Sequence, residues 1–173
     1  VLAADHLLAV AGKMKLIPLN KGKYFTQVSD RDFKWLSQWT WYKHHGYAVR
    51  NARPQVGMHT LIRNGERVDH KNRDKLDNTR RNLRPATQQQ NSRNRSKFSC
   101  NTSGYKGVSV FRLNFWTAHI GHSGHLYHLG VFPSAIEAAK AYDKAARKYH
   151  GKFASLNFEK RKHEKSRARK TIR

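Results

Sequence analysis

Asp69 and His70 stand side by side in a stretch, Val68 to Arg95, that is crowded with asparagine and arginine. Hydrolysis of a phosphodiester needs a base to activate water, a cation to stabilise developing charge, and a fixed geometry. His70 can be the base, because an imidazole with an ordinary pKa near ~6.5 is largely neutral at neutral pH. Asp69 offers the hard anionic oxygen that Mg²⁺ prefers, and Asn91 offers a neutral one. Mg²⁺ commonly takes only one or two protein ligands and fills its shell with phosphate and water, so Asp69 with Asn91 suffices, and Mn²⁺ is a possible substitute. Asn82 lies in the intervening loop, where its amide can bind backbone groups and hold the loop in shape. His59 is a candidate phosphate contact, with a packing or capping role before Thr60–Ile62 as the alternative. On residue types alone, a solvated basic loop explains the same stretch.

For these residues to converge, local structure must bring distant positions together. Arg67–His70 reads as a short strand, residues 71–82 as a long polar loop and Leu83–Thr87 as a second extended piece, since Pro85 biases its predecessor away from helix. Thr87 and Gln90 form a capping box, so a helix starts at Gln88 and carries Asn91 on its first turns. Alternation along the first strand points Asp69 and His70 to opposite faces. Upstream, Leu16–Asn20 and Lys23–Ser29 read as strands joined at Lys21-Gly22. Ser29 with Asp32 resembles a helix-capping signal, and Phe33, Leu36 and Trp39 share a helical face. Residues 39–51 alternate around a glycine as a strand pair does.

A Ser- and Asn-rich stretch reads as a linker, and a second unit begins at Gly104. Tyr105–Phe111, Phe115–His122 and His125–Phe132 read as strands, with Ser123-Gly124 as a two-residue hairpin turn. That turn pairs His122 with His125 and His119 with His128. Alternation then puts Ala118, Ile120, Tyr127 and Leu129 on the core face with Val108 and Val110. The four histidines divide between the two faces, which opposes a single zinc site built from all of them. Ser134 and Glu137 cap a helix that ends near Gly151. On it Ala138, Ala139, Tyr142, Ala146 and Tyr149 share a face.

The chain has 173 residues and a formal net charge of +24. Such an excess calls for a polyanion, with nucleic acid first and anionic membrane second. No apolar run is long enough for a membrane span, so no membrane partner is expected. The single cysteine, Cys100, excludes an internal disulfide and a zinc site with two or more thiolates, and fits a reducing, cytoplasmic setting. Abundant aromatics distinguish the chain from a disordered polycation. Residues 1–13 read as a leader before Met14, and residues 159–173 as a basic tail.

The stretch from Val68 to Asn94 resembles the core of HNH endonucleases, the ββα-metal nucleases of phages and mobile introns. Ile17–Asn51 and Met58–Ile62 resemble the segments that precede it. The resemblance implies His70 as general base, Asp69 and Asn91 as ligands of a divalent metal ion, and Asn82 as the loop brace. The family's glycine after Asn72 is Arg73 here. Residues 103–158, with "YKGV", "LGVF", "EAAKAYD" and "LNF", resemble the AP2 domain, which lays a three-stranded sheet in the DNA major groove. That resemblance implies DNA contacts at Lys106, Ser109, Phe111, His119, Leu126 and His128, with Tyr142 on the helix and Arg112 adding a contact. Several of the family's Arg and Trp contacts are absent, which suggests a different or looser sequence preference.

The expectation is an α+β chain: a ββα-metal HNH nuclease domain over residues 14–97, a linker over 98–103 and an AP2-like sheet-and-helix domain over 104–158. It would nick double-stranded DNA in the manner of homing endonucleases, with two copies needed for a double-strand break and the oligomeric state left open. A non-catalytic DNA-binding regulator and an RNA-binding protein are the competing readings.

Overall fold

Alternation sets the first two strands. In β1 (Met14–Leu19) Ile17 and Leu19 point inward while Leu16 is exposed, and in β2 (Tyr24–Ser29) Thr26 and Val28 point inward while Phe25 is exposed. They pair antiparallel through a turn in which Asn20, Lys21 and Gly22 all have positive φ. The computed structural model describes residues 14–158, so the expected leader and basic tail lie outside the described residues.

α1 (Asp30–Leu36) follows β2 directly. Ser29 occupies the cap position but makes no side-chain cap bond; its hydroxyl accepts from the Arg80 backbone N–H at 2.9 Å. Asp32 is likewise no cap partner. It lies buried against Arg80, whose Nε approaches Oδ2 at 2.8 Å. The helix stops at Leu36, so Trp39 lies beyond it, edge-on to Trp35 and Trp41. β3 (Tyr42–His44) and β4 (Tyr47–Arg50) form a hairpin through His45-Gly46, and β5 (Val56–Gly57) adds to β4.

A short helix, α2 (Met58–Ile62), leads to β6 (Val68–His70). The expected long loop contains β7 (Asp77–Asn78), which pairs in parallel with β2. β8 (Leu83–Pro85) then pairs antiparallel with β6, and α3 (Gln88–Asn94) closes this part of the chain. The capping box forms: Gln90 N–H donates to Thr87 Oγ1 at 3.2 Å, and Thr87 N–H to Gln90 Oε1 at 2.9 Å. The core is Ile17, Leu19, Val28, Leu36, Trp41, Ala48, Met58, Ile62, Val68 and Leu83. Trp41 is 1% exposed and satisfies its indole N–H on the Leu36 carbonyl at 2.8 Å.

The chain divides into two units between Asn94 and Arg95. In the second, β9 (Val108–Arg112), β10 (Phe115–His122) and β11 (His125–Phe132) form an antiparallel sheet with β10 in the middle. The predicted register holds, with His122 opposite His125 and His119 opposite His128. α4 (Ala135–His150) begins where Ser134 Oγ accepts from Glu137 N–H, and Ala138, Ala139 and Ala146 let it lie close on the sheet. Buried Asp143 fastens the closing segment by accepting from the N–H groups of Asn157 and Phe158, each at 2.8 Å. Asn157 in turn accepts from Lys106 N–H and donates to its carbonyl. The expected linker is not a free spacer: Ser103 Oγ donates to Val108 O at 2.8 Å, and Asn101 Nδ2 to Tyr105 O at 2.9 Å. The described residues thus form a mixed α+β architecture of several small sheets and four helices. None of those helices is long and apolar enough to cross a membrane.

Candidate functional site

Antiparallel pairing of β6 with β8 sets Asp69 opposite Arg84 and His70 opposite Leu83. The Asp69 carboxylate is 3% exposed, and a buried charge needs a partner. Arg84 supplies it: its Nε and Nη2 donate to Oδ2 at 2.8 and 2.6 Å. Asn94 Nδ2, arriving from α3, lies 2.9 and 3.0 Å from the two carboxylate oxygens and 2.8 Å from the His70 carbonyl.

Asn91 sits one turn earlier on the same helix. Its Nδ2 approaches the Val68 carbonyl at 3.4 Å, so the residue in hydrogen-bonding contact with Asp69 is Asn94, not Asn91. Their spacing of three places them on one helix face, which was the available signal for Asn94. Asn82 spans the loop: Nδ2 donates to Asp77 O at 2.7 Å, and Oδ1 accepts from Asn72 N–H at 3.0 Å. Arg73, at the position where the resembled family has glycine, takes φ 67°, and its N–H donates to the His70 carbonyl.

His70 is 6% exposed. Its Nε2 lies 3.2 Å from Asn78 Oδ1, a partner the sequence did not flag. Burial holds its pKa below the ordinary imidazole value, opposed by the Asn78 hydrogen bond and by Asp69, Asp77 and Asp74. The ring is thus a neutral base at neutral pH. His59 on α2 faces it, with ring centroids 5.4 Å apart, and Tyr47 lies against both. Burial, and then His70, push His59 down to about 4. A neutral His59 carries no charge to offer a phosphate, and it packs instead.

The pair expected to hold a divalent cation, the Asp69 carboxylate and the Asn91 amide, offers hard oxygens of the kind Mg²⁺ takes. Oδ2 of Asp69 is occupied by Arg84, while Oδ1 accepts from Asn94. Asn94 also reaches Oδ2, so a cation at Asp69 would have to share or displace donors already on both carboxylate oxygens. Among the described residues no three His, Cys, Asp or Glu side chains form a metal cluster.

In the second unit, the sheet face away from α4 carries Ser109, Phe111, His119, Leu126 and His128, with Arg112 at the end of β9 over the Phe111 ring. Phe111 and Leu126 are 50% and 73% exposed. His119 Nε2 and His128 Nδ1 lie 3.1 Å apart, whereas His122 packs on Tyr149 of α4, so the histidines do divide between faces. Lys106 is half-buried, its backbone tied to Asn157. Tyr142, expected at the DNA, is 3% exposed and belongs to the core. Its ring covers Gly107 so closely that a Cβ there would lie 2.1 Å from it.

A family profile described as HNH endonuclease matches residues 58–93. An uncharacterized HNH endonuclease of Acanthamoeba polyphaga mimivirus is 34% identical over 150 residues, covering 80% of this chain and 78% of that protein. The chain belongs to the HNH endonuclease family. It also carries an AP2-like segment. APETALA2-like protein 2 of Oryza sativa subsp. indica is 39% identical over 64 residues, 36% of this chain and 15% of that protein. An AP2-like ethylene-responsive transcription factor of Arabidopsis thaliana is 43% identical over 58 residues, 33% of this chain and 12% of that protein. No solved structure matches the chain. The matched stretch includes Asp69 and His70, both buried on β6 of this HNH family member.

Proposed function

We propose that this HNH family member is a metal-dependent DNA endonuclease that nicks double-stranded DNA, with the second unit as its DNA reader. The observation that carries the reading is His70: a buried, neutral imidazole beside a carboxylate that is itself fixed by Arg84 and Asn94. His70 takes the proton of the attacking water. A divalent cation held by Asp69 and Asn91 would supply positive charge to the phosphate as negative charge develops there. Asn82 keeps the loop between β6 and β8 in one shape, so that the base does not drift from the phosphate. Apart from Arg80 and Arg84, which pair with Asp32 and Asp69, the arginines near the site would position the phosphodiester backbone without carrying sequence information.

Sequence reading falls to the open face of the second unit, through Ser109, Phe111, Arg112, His119, Leu126 and His128, with Lys106 at its margin. A face with Phe and Leu where arginine would grip guanine favours apolar contact over bidentate readout. A monomer with one HNH site cuts one strand, so nicking is the expected product. Incubation of supercoiled DNA with the protein and Mg²⁺ or Mn²⁺ is expected to give relaxed circles, and His70→Ala to give them far more slowly. Binding without nicking in either metal would leave a DNA-binding protein and end the nuclease reading.

A further inference from the structure

The polar groups behind His70 form a chain whose direction is fixed at its far end. Thr26 is 0% exposed on β2, and its hydroxyl lies 2.7 Å from the Leu76 carbonyl. A carbonyl only accepts, so the hydroxyl spends its one proton there and meets any other neighbour as an acceptor. That neighbour is Asn78 Nδ2, 2.8 Å from Thr26 Oγ1 and 3.4 Å from the Lys75 carbonyl. Rotating the amide by half a turn would set its oxygen against those two oxygens. The amide nitrogen therefore stays where it is, and Asn78 Oδ1 faces His70 Nε2 at 3.2 Å. An amide oxygen also only accepts, which puts the imidazole proton on Nε2. A neutral imidazole carries one ring proton. Nδ1 thus keeps its lone pair, and no described residue hydrogen-bonds to it.

We propose that Asn78, oriented by Thr26, is a positioning residue that holds His70 in the Nε2–H tautomer and makes Nδ1 the atom that takes the water's proton. The role in catalysis rests on the nuclease reading above; the tautomer does not. Asn78 lies in the two-residue strand β7, whose parallel pairing with β2 brings it to Thr26. A strand too short to contribute much cohesion of its own delivers one amide to the back of the base.

The test is the ¹⁵N-labelled full chain, without DNA or metal. Long-range ¹H–¹⁵N correlations of the His70 ring are recorded at about pH 8, above the ordinary imidazole range, and assigned by comparison with His70→Gln. The wild-type ring is expected to be protonated at Nε2. Asn78→Ala is expected to spread the ring over both tautomers, and Asn78→Asp, which keeps an accepting oxygen, to retain Nε2–H. Thr26→Val frees the amide to rotate and shifts the ring toward Nδ1–H. In the nicking assay Asn78→Ala is expected to slow turnover about 10- to 100-fold at unchanged DNA affinity, with Asn78→Asp restoring part of it. A wild-type ring protonated at Nδ1 overturns the proposal. So does an unchanged tautomer in Asn78→Ala or Thr26→Val with the wild-type amide spectrum elsewhere. If Asn78→Ala does not fold, the Asn78→Asp and Thr26→Val arms decide. Absence of nicking by a wild-type chain that shows the Nε2–H pattern would count against the nuclease reading and leave the positioning intact.

Discussion

The two units bury polar residues to different extents, the second keeping Thr117, Asp143, His150 and Ser155 inside among the described residues. The first buries Thr26, Asp32, Asp69, His70, Asp77, Asn78, Thr79, Asn82 and Asn94, nearly all within or against the segment that carries the Asp-His pair. The second builds its core from alanines on α4 and aliphatics on the sheet, and leaves Phe111, Leu126 and His128 exposed. Chemistry at a fixed atom needs groups that cannot move, and burial with saturated hydrogen bonds supplies that. Recognition of a long polyanion needs groups that can be reached. The cost falls on different places: the first unit depends on many buried polar partners, the second on the packing of one helix and the hydrogen bonds of Asp143.

That contrast breaks most readily at Arg84. Arg84→Ala leaves the Asp69 carboxylate buried without its cation, and removing one partner of a buried pair costs about 3 kcal/mol or more. Chemical denaturation followed by the tryptophans of the first unit is expected to show the loss, with β9–β11 and α4 unaffected. The counterpart in the second unit is Asp143→Ala, which strips the acceptor from Asn157 and Phe158 N–H. A loss of about 2 kcal/mol is expected there, read by hydrogen exchange of α4, with no change in nicking by the first unit.

Acid should separate the units further. In the unfolded chain histidines take up protons near pH ~6.5, whereas folded His59 resists protonation down to about 4. The unfolded state then binds more protons, so the first unit loses stability as pH falls through that window, by at most about 1.4 kcal/mol per pH unit for one proton. Below it His59 adds no further loss. His59→Phe is expected to flatten the slope, measured as unfolding midpoint against pH. The smallest effect on stability is expected from Leu126→Ala, within about 0.5 kcal/mol for an exposed site. The same change is expected to weaken DNA binding, measured by titration of labelled duplex, if the open face is the reader.

Elements governed by local rules were legible in the sequence. The Thr87–Gln90 capping box, the Ser123-Gly124 hairpin and the register that follows from it depend on neighbours a few residues apart. What escaped depends on distant partners. Ser29 looked like a cap, but its hydroxyl receives the Arg80 N–H from 51 residues away. Asn78 looked like one more loop asparagine, and only its meeting with Thr26 and His70 separates it from the rest. Asn94 follows the same pattern, at 25 residues from Asp69. Tyr142 shows the reverse fault: it shares a helical face with Ala138, Ala139 and Ala146, and that periodicity already pointed to the core where the structure puts it.

Nicking and binding measured together on one supercoiled plasmid test the division between the units most directly. With Mg²⁺ or Mn²⁺ the wild-type chain should convert supercoiled DNA to relaxed circles. His70→Ala should bind the same DNA with unchanged affinity while nicking falls about 10²- to 10⁴-fold, the range for loss of a general base. Nicking near the wild-type rate in His70→Ala, or a loss of binding in step with the loss of nicking, would contradict the account.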